Sequence, residues 1–101
     1  MFKHKMAIQS FSDDSTEIFF RTSTLEKGIG WADVRKIAQR KLDMLHYAAQ
    51  LSDLKAPPGN RLELLKGDLN GYHSVRINDQ WRIVFIWSEA GPANVRITDY
   101  H

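Results

Sequence analysis

The sequence has no cysteine, only three prolines and no long apolar run. Without cysteine it can form neither a disulfide framework nor a thiolate zinc site, which is compatible with a reducing compartment. No stretch approaches the roughly 20 apolar residues of a membrane helix, and the N-terminus has no apolar signal region. We therefore expect a cytoplasmic protein without a membrane anchor.

The composition is that of a folded domain, with 43% hydrophobic and 26% charged residues. A chain of 101 residues is long enough for one domain and too short for two. We predict a single domain over residues 1–101, in which residues 1–6 form a flexible leader with Met6 as an alternative start. The four histidines lie at no metal-ligand spacing, so we predict no structural metal and no cofactor.

The first half of the chain has mainly helical periodicity. AIQSF, residues 7–11, is typical of a short strand, and STEIFFRT, residues 15–22, is typical of a short helix that Gly28 and Gly30 end. Apolar residues then recur at three- and four-residue steps, which predicts one long helix over residues 31–51. The two prolines of LKAPPGN cannot continue that helix.

The second half of the chain alternates with a period of two. The predicted strands, separated by turns, are RLELL, YHSVRI, WRIVFIW and ANVRITDY. WRIVFIW, residues 81–87, has apolar residues on both of its faces, which indicates a central strand covered by helices on one face. The expected fold class is α+β, with two N-terminal helices packed on a small antiparallel β-sheet.

The net charge of +2 is small, but positive charge is concentrated on the predicted long helix. Four cations occur there within seven residues with no acid among them: Arg35, Lys36, Arg40 and Lys41. They form either a partial basic face for an anionic partner or an ordinary solvated helix surface. The sequence leaves both interpretations open.

Arg82 is the most informative charged residue, because it lies inside a strand whose other positions are nearly all apolar. A half-buried guanidinium needs an acceptor, and its forked donors suit carboxylates and phosphates. Two interpretations follow: a site for a phosphate, or an ion pair with Asp79, Glu63 or Asp99.

Several other side chains suit RNA hydrolysis without a metal. That reaction needs a base, cations for the charge that grows on phosphorus, and an acid for the leaving oxygen. Lys66 lies at a strand-to-turn boundary, and Asp99, Tyr100 and His101 end the last predicted strand. An imidazole can serve either proton role near neutral pH, and a tyrosine can stack on an unpaired base. Periodicity alone does not show that these groups converge.

Three motifs in combination carry a family resemblance: RL-x-x-LKGDL-x-G, S-x-R-I-N-x-QWRI and the closing DYH. With them the chain, from IQSF at residue 8 onward, resembles the HigB-type branch of the RelE-like toxins of bacterial toxin–antitoxin pairs. It is especially similar to the slow, mildly toxic members known as GraT.

The resemblance implies a RelE-like fold and a defined activity. Such toxins enter the ribosomal A site and cut the bound mRNA, leaving a 2′,3′-cyclic phosphate and a 5′-hydroxyl. The implied partners are a HigA-type helix-turn-helix antitoxin, the ribosome and mRNA, with operator DNA contacted only through the antitoxin.

The resemblance also assigns roles to residues. Lys66 and Arg82 match the family's phosphate-contacting cations. His101 is then the leading proton-transfer residue, Asp99 orients it or shares the base role, and Tyr100 positions the nucleotide. The basic residues of the long helix, Arg35, Lys36, Arg40 and Lys41, are expected to bind ribosomal RNA through counterion release.

One position departs from the family pattern. Glu63 stands where better-studied HigB toxins carry a histidine, two residues after the arginine of the RL motif. A carboxylate can act as a base but is a poor acid at its ordinary pKa near 4.3. We therefore expect either a weaker enzyme, with Glu63 in the catalytic set, or a transfer of its role toward His73, whose other interpretation is a plain sheet-surface residue.

Two further functions stay open at this stage. A non-catalytic inhibitor on the same fold, such as the ParE-like toxins that poison DNA gyrase, does not need the terminal Asp-Tyr-His group. A degenerate module that only binds its antitoxin would be consistent with Glu63.

Overall fold

The computed structural model describes residues 7–99. The predicted leader, residues 1–6, and the predicted site residues Tyr100 and His101 lie outside the described residues, so these predictions stay predictions. The helices and strands are α1 (Asp14–Thr22), α2 (Arg35–Tyr47), β1 (Glu63–Leu64), β2 (His73–Arg76), β3 (Trp81–Ser88) and β4 (Gly91–Asp99).

Helix α1 begins and ends through side-chain and backbone caps. The Asp13 carboxylate accepts a hydrogen bond from the Thr16 N–H at 2.9 Å, which satisfies one of the free donors of the first turn. The helix ends where Ser23 takes a left-handed conformation with φ of 60° and donates its N–H to the Phe19 carbonyl. The expectation that Gly28 and Gly30 end this helix is therefore wrong.

Helix α2 is shorter than the predicted helix over residues 31–51. A 3-10 turn, Ala32–Val34, precedes it, and the backbone becomes extended at Ala48. The reason is local capping, because the Asp53 carboxylate accepts hydrogen bonds from the N–H groups of Ala49 and Gln50 and begins a separate 3-10 turn, Leu51–Lys55.

The four strands form an antiparallel sheet in the order β1-β2-β3-β4. Arg82 of β3 lies opposite Arg76 of β2 and Thr98 of β4, and Val84 lies opposite Ser74 and Arg96. β3 is thus an inner strand, as predicted. RLELL is wrong as a full strand, since only Glu63–Leu64 pairs.

The predicted opening strand at residues 7–11 is reduced to one parallel bridge, Phe11 to Val95. This segment still covers the outer edge of β4, because the Gln9 N–H donates to the Pro92 carbonyl and the Val95 N–H donates to the Ser10 carbonyl. Further along the same edge, the Ile97 N–H donates to the hydroxyl of Thr16, which is fully buried, at 3.0 Å.

Both helices pack on one face of the sheet. The core contains Phe19 from α1, Leu42 and Leu45 from α2, and Ile83 and Phe85 from β3. Successive residues of a strand point to opposite faces, so Val84, between Ile83 and Phe85, faces away from the helices, as does Arg82. This confirms the expected α+β class. Within residues 7–99, no helix has the length and apolar character needed to cross a membrane.

Candidate nucleic-acid interface

A set of polar and cationic side chains leaves the sheet on the side away from the helices. Cross-strand partners share a face, and the pairing of the four strands places these residues together: Glu63, Ser74, Arg76, Arg82, Val84, Arg96 and Thr98. We call this set the arginine face. It contains three guanidinium groups and one carboxylate.

Arg82 lies near the centre of the arginine face. Its Nη1 donates to the Ser74 hydroxyl at 2.6 Å and to the Arg61 carbonyl at 3.5 Å. The same nitrogen lies 3.5 Å from the Glu63 carboxylate, and 14% of the Arg82 side chain is exposed. The predicted ion pair with Glu63 is confirmed, whereas Asp79 pairs with Arg76 instead.

The turn between β2 and β3 fixes where β3, the strand that carries Arg82, begins. The Asn78 carboxamide oxygen accepts hydrogen bonds from the N–H groups of Gln80 and Trp81, at 2.9 and 2.7 Å. The Gln80 amide then donates to the Asp99 carboxylate at 2.9 Å. One short turn therefore sets the register of Arg82 and orients the last described acid of β4.

Asp99 lies beside Arg82 but on the other side of the pleat. It is in register with Trp81, whereas Arg82 is in register with Thr98. Successive side chains leave a strand on opposite faces, so the side chain of Asp99 leaves β4 on the helix side of the sheet, at the end of the strand. Convergence of Asp99 with Tyr100 and His101 stays a prediction, since the last two lie outside the described residues.

Lys66 is the predicted site residue that follows β1. It follows β1 and precedes the 3-10 turn Gly67–Leu69, and its side chain is exposed. Lys66 follows Glu63 by three residues, so it lies in the loop that leaves β1, at the edge of the sheet.

His73 does not join this set. It is in register with Phe85, and its ring stacks on that buried ring with centroids 6.1 Å apart and an angle of 22° between planes. Burial lowers the pKa of His73, and its Nδ1 is buried without a hydrogen-bond partner among residues 7–99. The structure therefore places this histidine on the helix side, away from the phosphate site proposed around Arg82.

The basic surface of α2 differs from its prediction at one position. Lys41 is 6% exposed, and its ammonium donates to the Asn60 carboxamide oxygen at 2.7 Å. Burial, with smaller contributions from the charges of Arg40 and Arg76, lowers the pKa of Lys41. The expectation that Lys41 lies on an exposed face is wrong, because its helical position points inward. Three cations stay exposed: Arg35, Lys36 and Arg40.

Sequence reasoning missed Ser74, Gln80 and Arg96. The two-residue period of β2 puts Ser74 on the same face as Arg76, and the tight turn after β2 makes that face continuous with Arg82. The same period in β4 puts Arg96 on the face of Thr98. Pairing the strands across their turns would have found both residues, whereas the hydrogen bond of Gln80 to Asp99 had no sequence pattern.

The fold is similar to that of the YoeB-YefM complex from Staphylococcus aureus. The TM-score is 0.54 at 19% sequence identity, and the match covers 97% of this chain and 99% of that chain. At this identity the likeness concerns the fold alone, and it agrees with the RelE-like arrangement of helices and sheet.

The family is shown by sequence. The model of the RelE-like toxin of type II toxin-antitoxin system HigB matches residues 9–101. Toxin HigB-1 of Vibrio cholerae serotype O1 is 36% identical over 93 residues, which cover 92% of this chain and 87% of that toxin. Endoribonuclease HigB of Proteus vulgaris is 29% identical over 94 residues, which cover 93% of this chain and 99% of that protein. The chain belongs to the HigB-like toxin family, and its likeness to the GraT branch stays a prediction.

Proposed function

We propose that this protein is the toxin of a type II toxin–antitoxin pair and acts as an endoribonuclease that cleaves mRNA on the ribosome. The observation that carries the proposal is Arg82, a partly exposed guanidinium held by the Ser74 hydroxyl and the Arg61 carbonyl. Preorganised donors of this kind stabilise charge that develops on a phosphate during displacement. The endoribonuclease named among the relatives supports the same activity.

In the proposed reaction the nucleophile is a 2′-hydroxyl of the RNA itself, and the chain supplies the base, the acid and the cations. The 2′-oxygen attacks phosphorus as a base takes its proton, and the 5′-oxygen leaves with a proton from an acid. The products are a 2′,3′-cyclic phosphate and a 5′-hydroxyl. Arg82 and Lys66 bind the phosphate, His101 transfers protons, Asp99 orients His101, and Tyr100 stacks on a base.

Glu63 limits this site in the proposal. Its carboxylate lies 3.5 Å from Nη1 of Arg82, in the guanidinium group that an RNA phosphate would bind. A phosphate must therefore displace or share the position of a carboxylate. Glu63 would make the enzyme weaker than relatives that carry the family histidine at this position.

The partners are part of the proposal. The antitoxin would be of the HigA type, with a helix-turn-helix domain through which the pair contacts operator DNA. The toxin would act in the cytoplasm at the ribosomal A site, where the exposed cations of α2, Arg35, Lys36 and Arg40, would contact ribosomal RNA.

The test is cleavage by the Arg82→Ala variant. We expect the rate of mRNA cleavage in a translating extract to fall by about 10²–10³-fold, as when one charge-stabilising donor is removed. Wild-type protein should leave the same mRNA nearly intact without ribosomes. Arg82→Lys keeps the charge without the fork, and Arg21→Ala removes an exposed arginine of α1 that pairs with Glu17.

Thermal melts of each variant separate loss of chemistry from loss of fold. The proposal is wrong if folded Arg82→Ala protein cleaves as fast as wild type. It is also wrong if induction of the protein causes an SOS response before translation stops, because that order indicates a gyrase poison.

A further inference from the structure

Arg96 is an arginine on the arginine face that the proposed reaction does not use. It lies in β4 opposite Val84 and is half-buried. Thr98 is the partner of Arg82, so Arg96 is the diagonal neighbour of Arg82 on the same face. Diagonal neighbours of an antiparallel pair have Cβ atoms about 7–8 Å apart, within reach of long side chains.

The three arginines of this face differ in their partners. Arg82 contacts the Glu63 carboxylate, and Arg76 contacts the Asp79 carboxylate. The side chain of Arg96 has no hydrogen bond or ion pair with any residue in the described range 7–99. These three arginines and their two partners, Glu63 and Asp79, together carry one excess positive charge. That charge is the one on Arg96.

The side chain of Arg82 is directed away from Arg96. Its guanidinium reaches toward Ser74 and Glu63, on β2 and β1. Ser74 and Arg96 are both partners of Val84, so they lie two strand spacings apart, about 10 Å. Val84 itself is fully buried between them. A phosphate bound at Arg82 therefore leaves Arg96 available for a second anionic group.

We propose that Arg96 is a substrate-binding residue that holds the RNA phosphate next to the one bound by Arg82. This inference rests on the proposed function and adds a second phosphate subsite to it. A strand of RNA lying across β3 toward β4 would then contact two guanidiniums in succession.

The first experiment measures cleavage of mRNA on programmed ribosomes with the protein in excess. For Arg96→Gln we expect the half-saturating concentration to rise about 10–100-fold, as for a lost charge-assisted contact. The maximal cleavage rate should stay unchanged, since ground-state and transition-state binding fall together. The slope of log affinity against log salt concentration is negative, and its magnitude should decrease by about one, which is the contribution of one phosphate contact.

Matched variants control this measurement. Arg96→Lys keeps the charge and should lie between wild type and Arg96→Gln. Arg21→Gln makes the same chemical change on α1, away from the arginine face, and should leave all values at those of wild type. Far-UV circular dichroism of each protein gives the folded fraction used to normalise concentrations.

A second experiment neutralises single phosphates of the mRNA as methylphosphonates, on either side of the cleaved position. One of the two neutralised mRNAs should bind wild type more weakly yet show no further loss with Arg96→Gln. Unchanged binding of folded Arg96→Gln protein would overturn the inference. So would a loss confined to the maximal rate, or equal losses for wild type and variant with both neutralised mRNAs.

The inference and the proposed function fail differently. If Arg82→Ala abolishes cleavage and Arg96→Gln changes nothing, only the second phosphate subsite is wrong. If Arg82→Ala cleaves like wild type, the proposed function is wrong and the inference falls with it.

Discussion

The two faces of the sheet come from alternate residues of the same strands, yet they differ in charge and in what covers them. On the helix side, Ile83 and Phe85 of β3 are completely buried beneath α1 and α2. On the other side, Arg82 and Arg96 lie with Ser74 and Glu63, and their guanidinium groups and the Glu63 carboxylate give this side its charge. One face supplies the burial that stabilises the fold, and the other presents fixed donors.

In this sheet a single residue step separates a position that stabilises the fold from a position that carries charge. Neighbouring positions such as Arg82 and Ile83 point to opposite faces, so a substitution at one leaves the other face largely intact. Stability losses should follow the helix side, and changes in cleavage should follow the arginine face. Three predictions test this separation, beginning with the largest effect.

The largest effect is expected from Phe85→Ala, which empties a fully buried site on the helix side. The free energy of unfolding, measured by urea denaturation, should fall by about 3–5 kcal/mol. Leu64→Ala is the matched control, because Leu64 lies in the same cross-strand row but is 61% exposed. Its cost should stay within about 0.5 kcal/mol. Equal costs at both positions would contradict the idea that burial beneath the helices, rather than position in the sheet alone, stabilises the fold.

The next effect concerns Glu63→Gln on the arginine face. Removing the carboxylate frees Arg82 for phosphate, so cleavage at low protein concentration should increase by up to about fivefold, the equivalent of a partly exposed ion pair worth about 1 kcal/mol. The melting temperature should change little. Glu17→Gln, which breaks a comparable pair with Arg21 on α1, should leave cleavage unchanged.

The opposite sign of the Glu63→Gln effect is equally informative. A decrease of about 10²-fold or more would assign Glu63 as the general base, because that is the contribution of a positioned proton-transfer group. The carboxylate would then take part in the reaction rather than compete with the substrate.

The smallest effect is a pH dependence on the helix side. Burial lowers the pKa of His73 below its ordinary 6.5, so the folded protein favours the neutral ring. The unfolded chain binds the proton at higher pH, and stability is therefore complete above pH 6.5 and decreases as the pH falls toward the lowered pKa. His73→Gln does not titrate. The unfolding free energy of wild type minus that of this variant should decrease from pH 7.5 to 5.5. If the unfolding free energies of the two proteins change in parallel with pH, the prediction is wrong.

The sequence predicted the class of fold well, because apolar periodicity reports burial directly. WRIVFIW gave an inner strand, and the order of helices before strands gave the α+β arrangement. It predicted element ends poorly, since these depend on single polar contacts. The Asp53 carboxylate that ends the second helix and the left-handed Ser23 that ends the first have no periodic pattern.

The candidate site was predictable residue by residue but not as a surface. The composition of β3 identified Arg82, and family motifs identified Lys66 and Glu63. The facing of each side chain depends on strand register, which single-strand periodicity does not contain. His73 was misplaced for this reason, because its register with Phe85 puts it on the helix side. Lys41 was misplaced because its position on α2 points toward the interior.

The closed edge of β4 has a consequence for aggregation. The backbone groups along this edge are held by Gln9 and Ser10 and by the Thr16 hydroxyl, contacts that join positions more than 80 residues apart. Closing contacts between such distant positions orders the intervening chain, which costs conformational entropy. Release of that N-terminal segment would leave one side of a nine-residue strand with free donors and acceptors. The molecule would then offer a second copy of itself a ready template for intermolecular β-pairing.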